Sequence, residues 1–120
     1  MPAPIVIVHD EPCYAEKLAA PLNRAGFETA LFPDALAAMA ALDAPRRIRL
    51  LITRVAFAPG RSNGVALARM LRGRVASVKF LFICRPEYVT EARELGTVVF
   101  YGAPPDVVAR HALPLLRSDD

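Results

Sequence analysis

Five short apolar runs recur along the chain, and each is followed by a segment whose apolar residues repeat at helical spacing. The runs span Ile5–Val8, Thr29–Phe32, Leu50–Thr53, Val78–Cys84 and Thr97–Tyr101. A continuous run rich in β-branched residues is typical of a strand that is buried on both faces of a parallel sheet. Strands that alternate with helices in this way predict a doubly wound α/β domain with right-handed crossovers.

The segments between the runs have the periodicity and the ends of amphipathic helices. In the first of them, Leu18 and Leu22 follow Tyr14 on one face. We expect Asp10 to cap this helix, and Asp34 and Asn63 to cap the two helices that follow. Proline disrupts a helix interior, so Pro114 predicts a short or broken last helix. The other predicted helices run from Asp34 to Pro45, from Asn63 to Gly73, from Glu87 to Leu95 and from Asp106 onward.

Length and composition fit one globular domain. With 120 residues, 54% of them hydrophobic and 22% charged, the chain can bury a core of its own. We expect residues 1–120 to form a single domain, either alone or within a larger protein. No apolar run is long enough to span a bilayer, so we expect a soluble cytoplasmic protein. Cys13 and Cys84 lack the spacing of a zinc site or of a disulfide framework.

Basic residues are concentrated in one stretch of the sequence. The net charge is +3, but residues 44–86 contain ten Arg or Lys and no Asp or Glu, so the flanks sum to 3 − 10 = −7. This asymmetry fits a face that meets nucleic acid, an anionic ligand or an acidic partner, and it fits equally a solvated surface. The cations do not alternate with stacking aromatic residues, so nucleic acid is the less expected partner.

The residues at the carboxyl ends of the strands are the candidates for function, because ligand sites in doubly wound sheets lie there. The four strand ends that carry polar or turn residues supply the whole set. They are His9, Asp10 and Glu11 after the first strand, Arg54 after the third, Cys84 and Arg85 after the fourth, and Gly102, Ala103 and Pro104 after the fifth.

Four sequence segments, taken in order, resemble one known family over essentially the whole chain. They are IVIVHDEP, LLITRVAFAPGRSNG, FLFICR and VVFYGAP, and they are similar to the receiver domain of bacterial two-component response regulators. The resemblance implies a five-stranded parallel sheet of order 2-1-3-4-5. It also implies a Mg²⁺ site in the acidic cluster after the first strand and a phosphoryl-accepting Asp at the end of the third. A Ser or Thr after the fourth strand and a Lys before a Pro after the fifth complete the family's site.

Most of the residues with these roles in the family are replaced in this chain. The loop after Arg54 is one residue longer than in the family, so Val55 is an alternative for the acceptor position. At the acidic cluster, His9 stands at the first position, Asp10 is retained at the second and Glu11 lies beside it. Arg54 stands at the acceptor position. Cys84 and Arg85 stand at the Ser/Thr switch and its neighbour, and Ala103 stands at the Lys position before Pro104.

An arginine at the acceptor position changes what the pocket can do. A guanidinium keeps its charge at ordinary pH, accepts no phosphoryl group and repels a divalent cation. We therefore expect Mg²⁺ binding to be lost or weak and phosphorylation to be absent. Because Arg54 and Asp10 end adjacent strands, we expect them to form an ion pair, shared with Glu11, in the space that a metal and a phosphoryl group would fill.

Other chemistry at the strand ends has weaker support in the sequence. His9, Cys84 and Asp10 are residue types that bind transition metals, but the nearby Arg54 argues against a metal. Neighbouring arginines favour a lowered pKa and a redox role for Cys84, whereas a thiol that fills a Thr-sized space is the simpler interpretation. His111 has no evident partner. There is no nucleophile triad and no glycine-rich phosphate loop, so we expect no enzyme activity.

In the receiver family, the fourth helix, fifth strand and fifth helix form a surface that binds partners and often makes dimers. Phe100 lies where the family has an aromatic switch residue, although it is equally suited to the core. Pro114 argues against the standard receiver dimer, so a homodimer is one alternative among several assemblies. The resemblance places on this surface Val89, Arg93, Phe100, Tyr101, Val107 and Arg110.

The leading interpretation is a phosphorylation-independent, receiver-like module of bacterial signalling. It is expected to bind a histidine kinase, another receiver or an effector in one fixed conformation, without a cofactor or a membrane. One alternative is a sensor that binds an anionic small molecule through Arg54, Arg61 and Arg85. The other is a nucleic-acid-associated domain that uses the basic stretch 44–86.

Overall fold

Five parallel strands form one sheet that carries helices on both faces. The computed structural model describes residues 4–41, 48–56, 63–75 and 77–117. The strands pair in the order β2-β1-β3-β4-β5, so the predicted topology is confirmed. Their bounds are β1 (Ile5–Val8), β2 (Thr29–Phe32), β3 (Leu50–Arg54), β4 (Lys79–Cys84) and β5 (Thr97–Phe100).

Each strand leads into a helix. The predicted helix over residues 87–95 is wrong in its extent, because a turn of 3-10 helix, Pro86–Tyr88, precedes a short α-helix. In the ranges that the structure describes, no helix has the length and apolar character needed to cross a membrane. The helices are α1 (Pro12–Arg24), α2 (Ala35–Ala41), α3 (Gly64–Arg74), α4 (Val89–Arg93) and α5 (Pro105–Arg117).

The apolar strands are continuous because they are buried on both faces of the sheet. In β1, Ile5 and Ile7 pack with buried residues of α1 and α5, whereas Val6 and Val8 pack with those of α2 and α3. Strands β3 and β4 divide their side chains in the same way. Alternate residues of a strand point to opposite faces, so each of these strands contributes to two separate cores.

Two of the three predicted helix caps are present. Asn63 caps α3 and Asp34 caps α2, each by accepting a hydrogen bond from a backbone N–H at 2.8 Å. Asp10 does not cap α1. Glu11 is the residue before that helix, no side chain caps it, and Pro12 stands at its first position, where a missing N–H costs nothing. The Asp10 carboxylate is therefore available to another partner.

The last helix is longer than its proline predicts. It continues through Pro114 to Arg117, so the expected short or broken helix is wrong. Pro114 is exposed, so water can reach the carbonyl that its ring leaves unpaired, and Ala112 and Leu116 stay buried on either side of it in sequence. The burial of this apolar face offsets the cost of the proline.

Two basic side chains fix the C-terminal end of α5 to the amino edge of the sheet. The Arg49 guanidinium donates a hydrogen bond to the carbonyl oxygen of Leu116. The Lys79 ammonium donates one to the carbonyl oxygen of Leu115 at 3.3 Å. Cations at the end of a helix satisfy its unpaired carbonyls and complement its dipole. Two of the charges in the basic stretch are thus used inside the fold.

Candidate functional site

The strand ends bring the predicted site residues to one edge of the sheet. His9 and Asp10 follow β1, Arg54 ends β3, Cys84 ends β4, and Ala103 lies in the connection from β5 to α5. Strands β1 and β3 are neighbours in the sheet. The residues that end these two strands therefore meet beside each other, and they form the centre of the candidate site.

The ion pair predicted between Arg54 and Asp10 is present. Arg54 Nη1 donates to Asp10 Oδ1 at 2.7 Å. Arg54 is aligned with β4 in the sheet, whereas the neighbouring Val55 is buried with 1% exposure, so Arg54 is the residue at the pocket. Within the described residues Glu11 joins no ion pair. The expected sharing with Glu11 is wrong because this residue is exposed at the start of α1.

A glycine at the start of α3 supports the backbone of Arg54. A Cβ on Gly64 would lie 2.1 Å from the carbonyl oxygen of Arg54 and 2.8 Å from Oγ1 of Thr53. The Gly64 amide donates to the carbonyl of Val55 at 2.9 Å. Only a residue without a side chain allows this close approach. Sequence reasoning did not assign Gly64 a role, although its position directly after the helix cap was a signal.

His9 is a buried, neutral side chain. Its Nδ1 accepts a hydrogen bond from the Glu11 amide at 3.0 Å, which places the ring proton on Nε2. Burial lowers the pKa of His9, and the Arg54 guanidinium lowers it further, against smaller opposing effects of Asp10 and Glu11. The approach of Nδ1 to Asp10 Oδ1, at 3.7 Å, is therefore not a salt bridge at neutral pH. His9 therefore does not supply the charge of the acidic residue that the resemblance implies at this position.

Tyr14 connects the first strand end to the last. Its ring lies almost parallel to the His9 ring, with 4.4 Å between centroids and 10° between planes. Its hydroxyl donates to the carbonyl oxygen of Ala103 at 2.5 Å. Burial raises the pKa of Tyr14, so the hydroxyl stays a donor. The sequence assigned Tyr14 only to a helix face, and nothing in its spacing indicated the bond to Ala103.

Cys84 is a buried thiol whose Sγ donates to the carbonyl oxygen of Arg85 at 3.1 Å. Burial raises its pKa, and the Glu87 carboxylate raises it further. The expectation that neighbouring arginines lower this pKa is wrong, because the Arg85 guanidinium is directed elsewhere, 5.0 Å from the centre of the Tyr101 ring. A protonated thiol is a poor nucleophile and a poor metal ligand.

The described side chains of the carboxyl edge do not include the ligands of a metal centre. In the four described ranges, no three His, Cys, Asp or Glu side chains lie close enough to hold a metal ion, so His9, Asp10 and Cys84 do not form a transition-metal site. The Mg²⁺ implied by the resemblance does not fit either. Its retained carboxylate, Asp10, is bound to Arg54, and a guanidinium repels a divalent cation.

A cavity of about 290 Å³ lies between α1 and the end of β2, on the side of His9 away from the sheet centre. It contains no arginine, so it does not correspond to the Arg-lined pocket expected for an anionic ligand. Of the three arginines proposed for that pocket, Arg61 lies outside the described residues, and the other two bind Asp10 and Tyr101. The cavity is lined by His9, Pro12, Ala15, Glu16, Leu31, Phe32 and Pro33.

Two aromatic side chains are exposed at the end of β5. Phe100 is 59% exposed and Tyr101 is 42% exposed, so the alternative that Phe100 belongs to the core is wrong. Their rings contact each other, with centroids 4.7 Å apart. Of the other predicted surface residues, Arg93 is exposed, Arg110 pairs with Asp106 along α5, and Val89 and Val107 are half-buried.

Several cations of the basic stretch have partners within the fold. Arg54 binds Asp10, and Arg69 lies 3.6 Å from Glu91. Residues 44–47 and Arg61 lie outside the described residues.

In α5, the exposed His111 has a partner that the sequence did not reveal, because its Nδ1 lies 2.9 Å from the carbonyl oxygen of Val107. This bond stays within one turn of the helix.

No protein-family model and no curated protein matches the sequence. Solved structures match it over nearly its whole length. The BeF3-activated receiver domain of DrrB from Thermotoga maritima is 16% identical, with a TM-score of 0.79, over 98% of this chain and 100% of that one. The receiver domain of NtrX from Brucella abortus is 22% identical, with a TM-score of 0.78, over 96% and 99%.

A third match is the receiver domain of a signal transduction histidine kinase from Syntrophus aciditrophicus. It is 25% identical, with a TM-score of 0.75, over 99% of this chain and 96% of that one. This chain has the receiver fold. At the carboxyl edge of this fold lies the pair of Arg54 and Asp10.

Removing the guanidinium from the pocket is expected to destabilise the fold. We expect Arg54→Ala to lower the free energy of unfolding by about 0.5–1 kcal/mol, because Asp10 loses its partner in a partly exposed pair. Arg110→Ala is the matched control, since Arg110 pairs with Asp106 at 3.7 Å on the surface of α5. It should cost about 0.3 kcal/mol or less. Urea denaturation measures both, and equal losses would contradict the role of Arg54.

The buried neutral His9 is expected to make stability depend on pH. Its pKa is lowered in the folded state, so the unfolded chain, with an imidazole pKa of about 6.5, binds the proton more readily. The free energy of unfolding should therefore fall as the pH drops from 7.5 to 5.5. In His9→Phe the fall should be smaller. His111→Gln, at an exposed position, is the control and should keep the pH dependence of the unaltered chain in urea denaturation.

Proposed function

We propose that this chain is a receiver-like signalling module that acts without a phosphoryl group, by binding a protein partner in a two-component or phosphorelay pathway. The observation that carries this proposal is the 2.7 Å contact between Arg54 and Asp10 at the carboxyl edge of a receiver fold. A fixed cation stands where the family has a phosphoryl-accepting carboxylate. The pocket is therefore in a single state that no phosphodonor changes.

The electrostatics of the pocket support this assignment. The Asp10 carboxylate already makes a short, charge-assisted hydrogen bond, and such bonds are among the stronger ones in proteins. A divalent cation would have to displace the guanidinium and then remain beside it, against their mutual repulsion. Phosphoryl transfer also requires a nucleophile at the end of β3, and a positively charged guanidinium such as that of Arg54 is not a nucleophile.

The proposal includes no catalytic residue. Near pH 7, His9 is neutral because burial lowers its pKa, and Tyr14 and Cys84 are neutral because burial raises theirs. An activated hydroxyl or thiol nucleophile needs a base or a nearby positive charge that lowers its pKa, whereas the pKa values of Tyr14 and Cys84 are raised. The Nδ1 lone pair of His9 already accepts the Glu11 amide. We therefore assign no catalytic role to these three groups.

A module with a fixed pocket acts through the surface that it presents permanently. Phe100 and Tyr101 form an exposed aromatic pair, and the Arg85 guanidinium lies 5.0 Å from the Tyr101 ring. Aromatic residues and arginine are enriched in the centres of protein interfaces. We assign the partner surface to these residues together with Arg93 and Arg110. The partner is a histidine kinase, another receiver domain or an effector.

Incubation with Mg²⁺ and acetyl phosphate, followed by intact-mass analysis, tests this proposal. We expect no added phosphoryl mass on the unaltered chain. We also expect none on Arg54→Asp, because His9 and Ala103 still differ from the family's acidic and Lys residues. A receiver domain with a complete site serves as the positive control under the same conditions.

A stable phosphoryl adduct on the unaltered chain would overturn the proposal, since the chain would then be an ordinary switch with another acceptor. An adduct on Arg54→Asp alone would show that position 54 is the single obstacle to phosphorylation, and it would contradict the inference that several positions have lost their roles together.

A further inference from the structure

Tyr14 is the side chain that contacts both the altered pocket and the connection from β5 to α5. Its ring stacks on the buried His9 ring, which follows β1. Its hydroxyl donates to the carbonyl oxygen of Ala103, 89 residues away in sequence. Ala103 stands at the position where the family has the Lys that senses a phosphoryl group. In the family, this Lys contacts the phosphoryl group. In this chain, the Tyr14 hydroxyl contacts the backbone at the same position, and that bond does not depend on phosphorylation.

The segment from Phe100 to Ala103 is short and tightly connected, so a constraint on Ala103 reaches the exposed aromatic pair. The Ala103 amide donates to the carbonyl of Phe100 at 2.9 Å, and the Tyr101 amide donates to the carbonyl of Cys84 at 3.1 Å. A Cβ on Gly102 would lie 2.8 Å from Cε2 of Phe100, so the Phe100 ring packs directly on this turn.

We propose that Tyr14 is a positioning residue whose hydroxyl fixes residues 101–103 and thereby holds Phe100 and Tyr101 in one orientation for a protein partner. The stack on His9 sets the direction of the Tyr14 ring, and the bond to Ala103 sets the position of the turn. The partner surface is therefore coupled to the pocket through α1, with no phosphoryl group involved. This inference rests on the proposed function only in treating Phe100 and Tyr101 as the partner surface.

The chemistry of the two rings suits this role. Burial raises the pKa of Tyr14, and the Glu11 carboxylate acts in the same direction, so the hydroxyl remains a donor at physiological pH. His9 is neutral and is held by two backbone contacts, from its Nδ1 to the Glu11 amide and from its own amide to the carbonyl of Phe32. These two hydrogen bonds fix the His9 ring, and the Tyr14 ring stacks on it in one orientation.

The test compares Tyr14→Phe with Tyr88→Phe by amide hydrogen exchange. Tyr14→Phe keeps the stacked ring and removes only the hydroxyl. We expect the amides of Tyr101 and Ala103 to exchange about fivefold faster in this variant, the effect of losing one hydrogen bond. The Ile7 amide in β1 is the internal reference and should be unaffected. Tyr88 is a half-buried tyrosine that packs against the core on the opposite face of the sheet from Tyr14. Tyr88→Phe should therefore leave the exchange rates of the Tyr101 and Ala103 amides unchanged.

Two outcomes would overturn the inference. Unchanged exchange at Tyr101 and Ala103 in Tyr14→Phe would mean that the hydroxyl does not hold the turn. Equal acceleration at these amides and at Ile7 would mean that Tyr14 contributes only to global stability. Both outcomes are independent of the phosphoryl assay, because a phosphoryl adduct would remove the proposed function and leave the exchange result as it stands.

Discussion

The guanidinium of Arg54 and the carboxylate of Asp10 meet at 2.7 Å across the ends of two neighbouring strands, and this contact sets the charge at the centre of the pocket. The contact gives Asp10, the residue to which the resemblance assigns a metal-binding role, a cation of the chain itself as its partner. Burial lowers the pKa of His9 and the Arg54 guanidinium lowers it further, so the ring is neutral and accepts a hydrogen bond from the Glu11 amide. The neutral ring then forms the surface on which Tyr14 stacks.

The fold and the chemistry of this chain depend on different residues. The sheet is stabilised by side chains that alternate between two cores, such as Ile7 and Val8 in β1. Of the residues at these strand ends, Cys84 belongs to one of the two cores and Ala103 packs against the other, whereas His9, Asp10 and Arg54 belong to neither. A chain can therefore keep the receiver fold at 16–25% identity while the residues at its strand ends change. A shared fold therefore does not by itself carry a shared chemistry.

The sequence predicted the features that depend on residue order and on adjacency in the sheet. The strands followed from their apolar runs, and the contact of Arg54 with Asp10 followed from the strand order that the resemblance to receiver domains implied. It did not predict features that depend on where a side chain lies in space. The bond from Tyr14 to Ala103 joins distant segments, and the exposure of Phe100 follows from its place at the end of an edge strand. The last helix continues through Pro114 because that residue faces water, which periodicity alone did not establish.

The most direct test of the central claim is a titration with Mg²⁺ followed in ¹H–¹⁵N NMR spectra of the unaltered chain and of Arg54→Asp. If the guanidinium keeps cations out of the pocket, the amide signals of Asp10, Glu11 and residue 54 will not move in the unaltered chain. In Arg54→Asp, where two carboxylates face each other, the same signals will shift and saturate. Saturable shifts at these amides in the unaltered chain would contradict the claim, because they would show that Mg²⁺ binds beside Arg54 and that the pocket is still open.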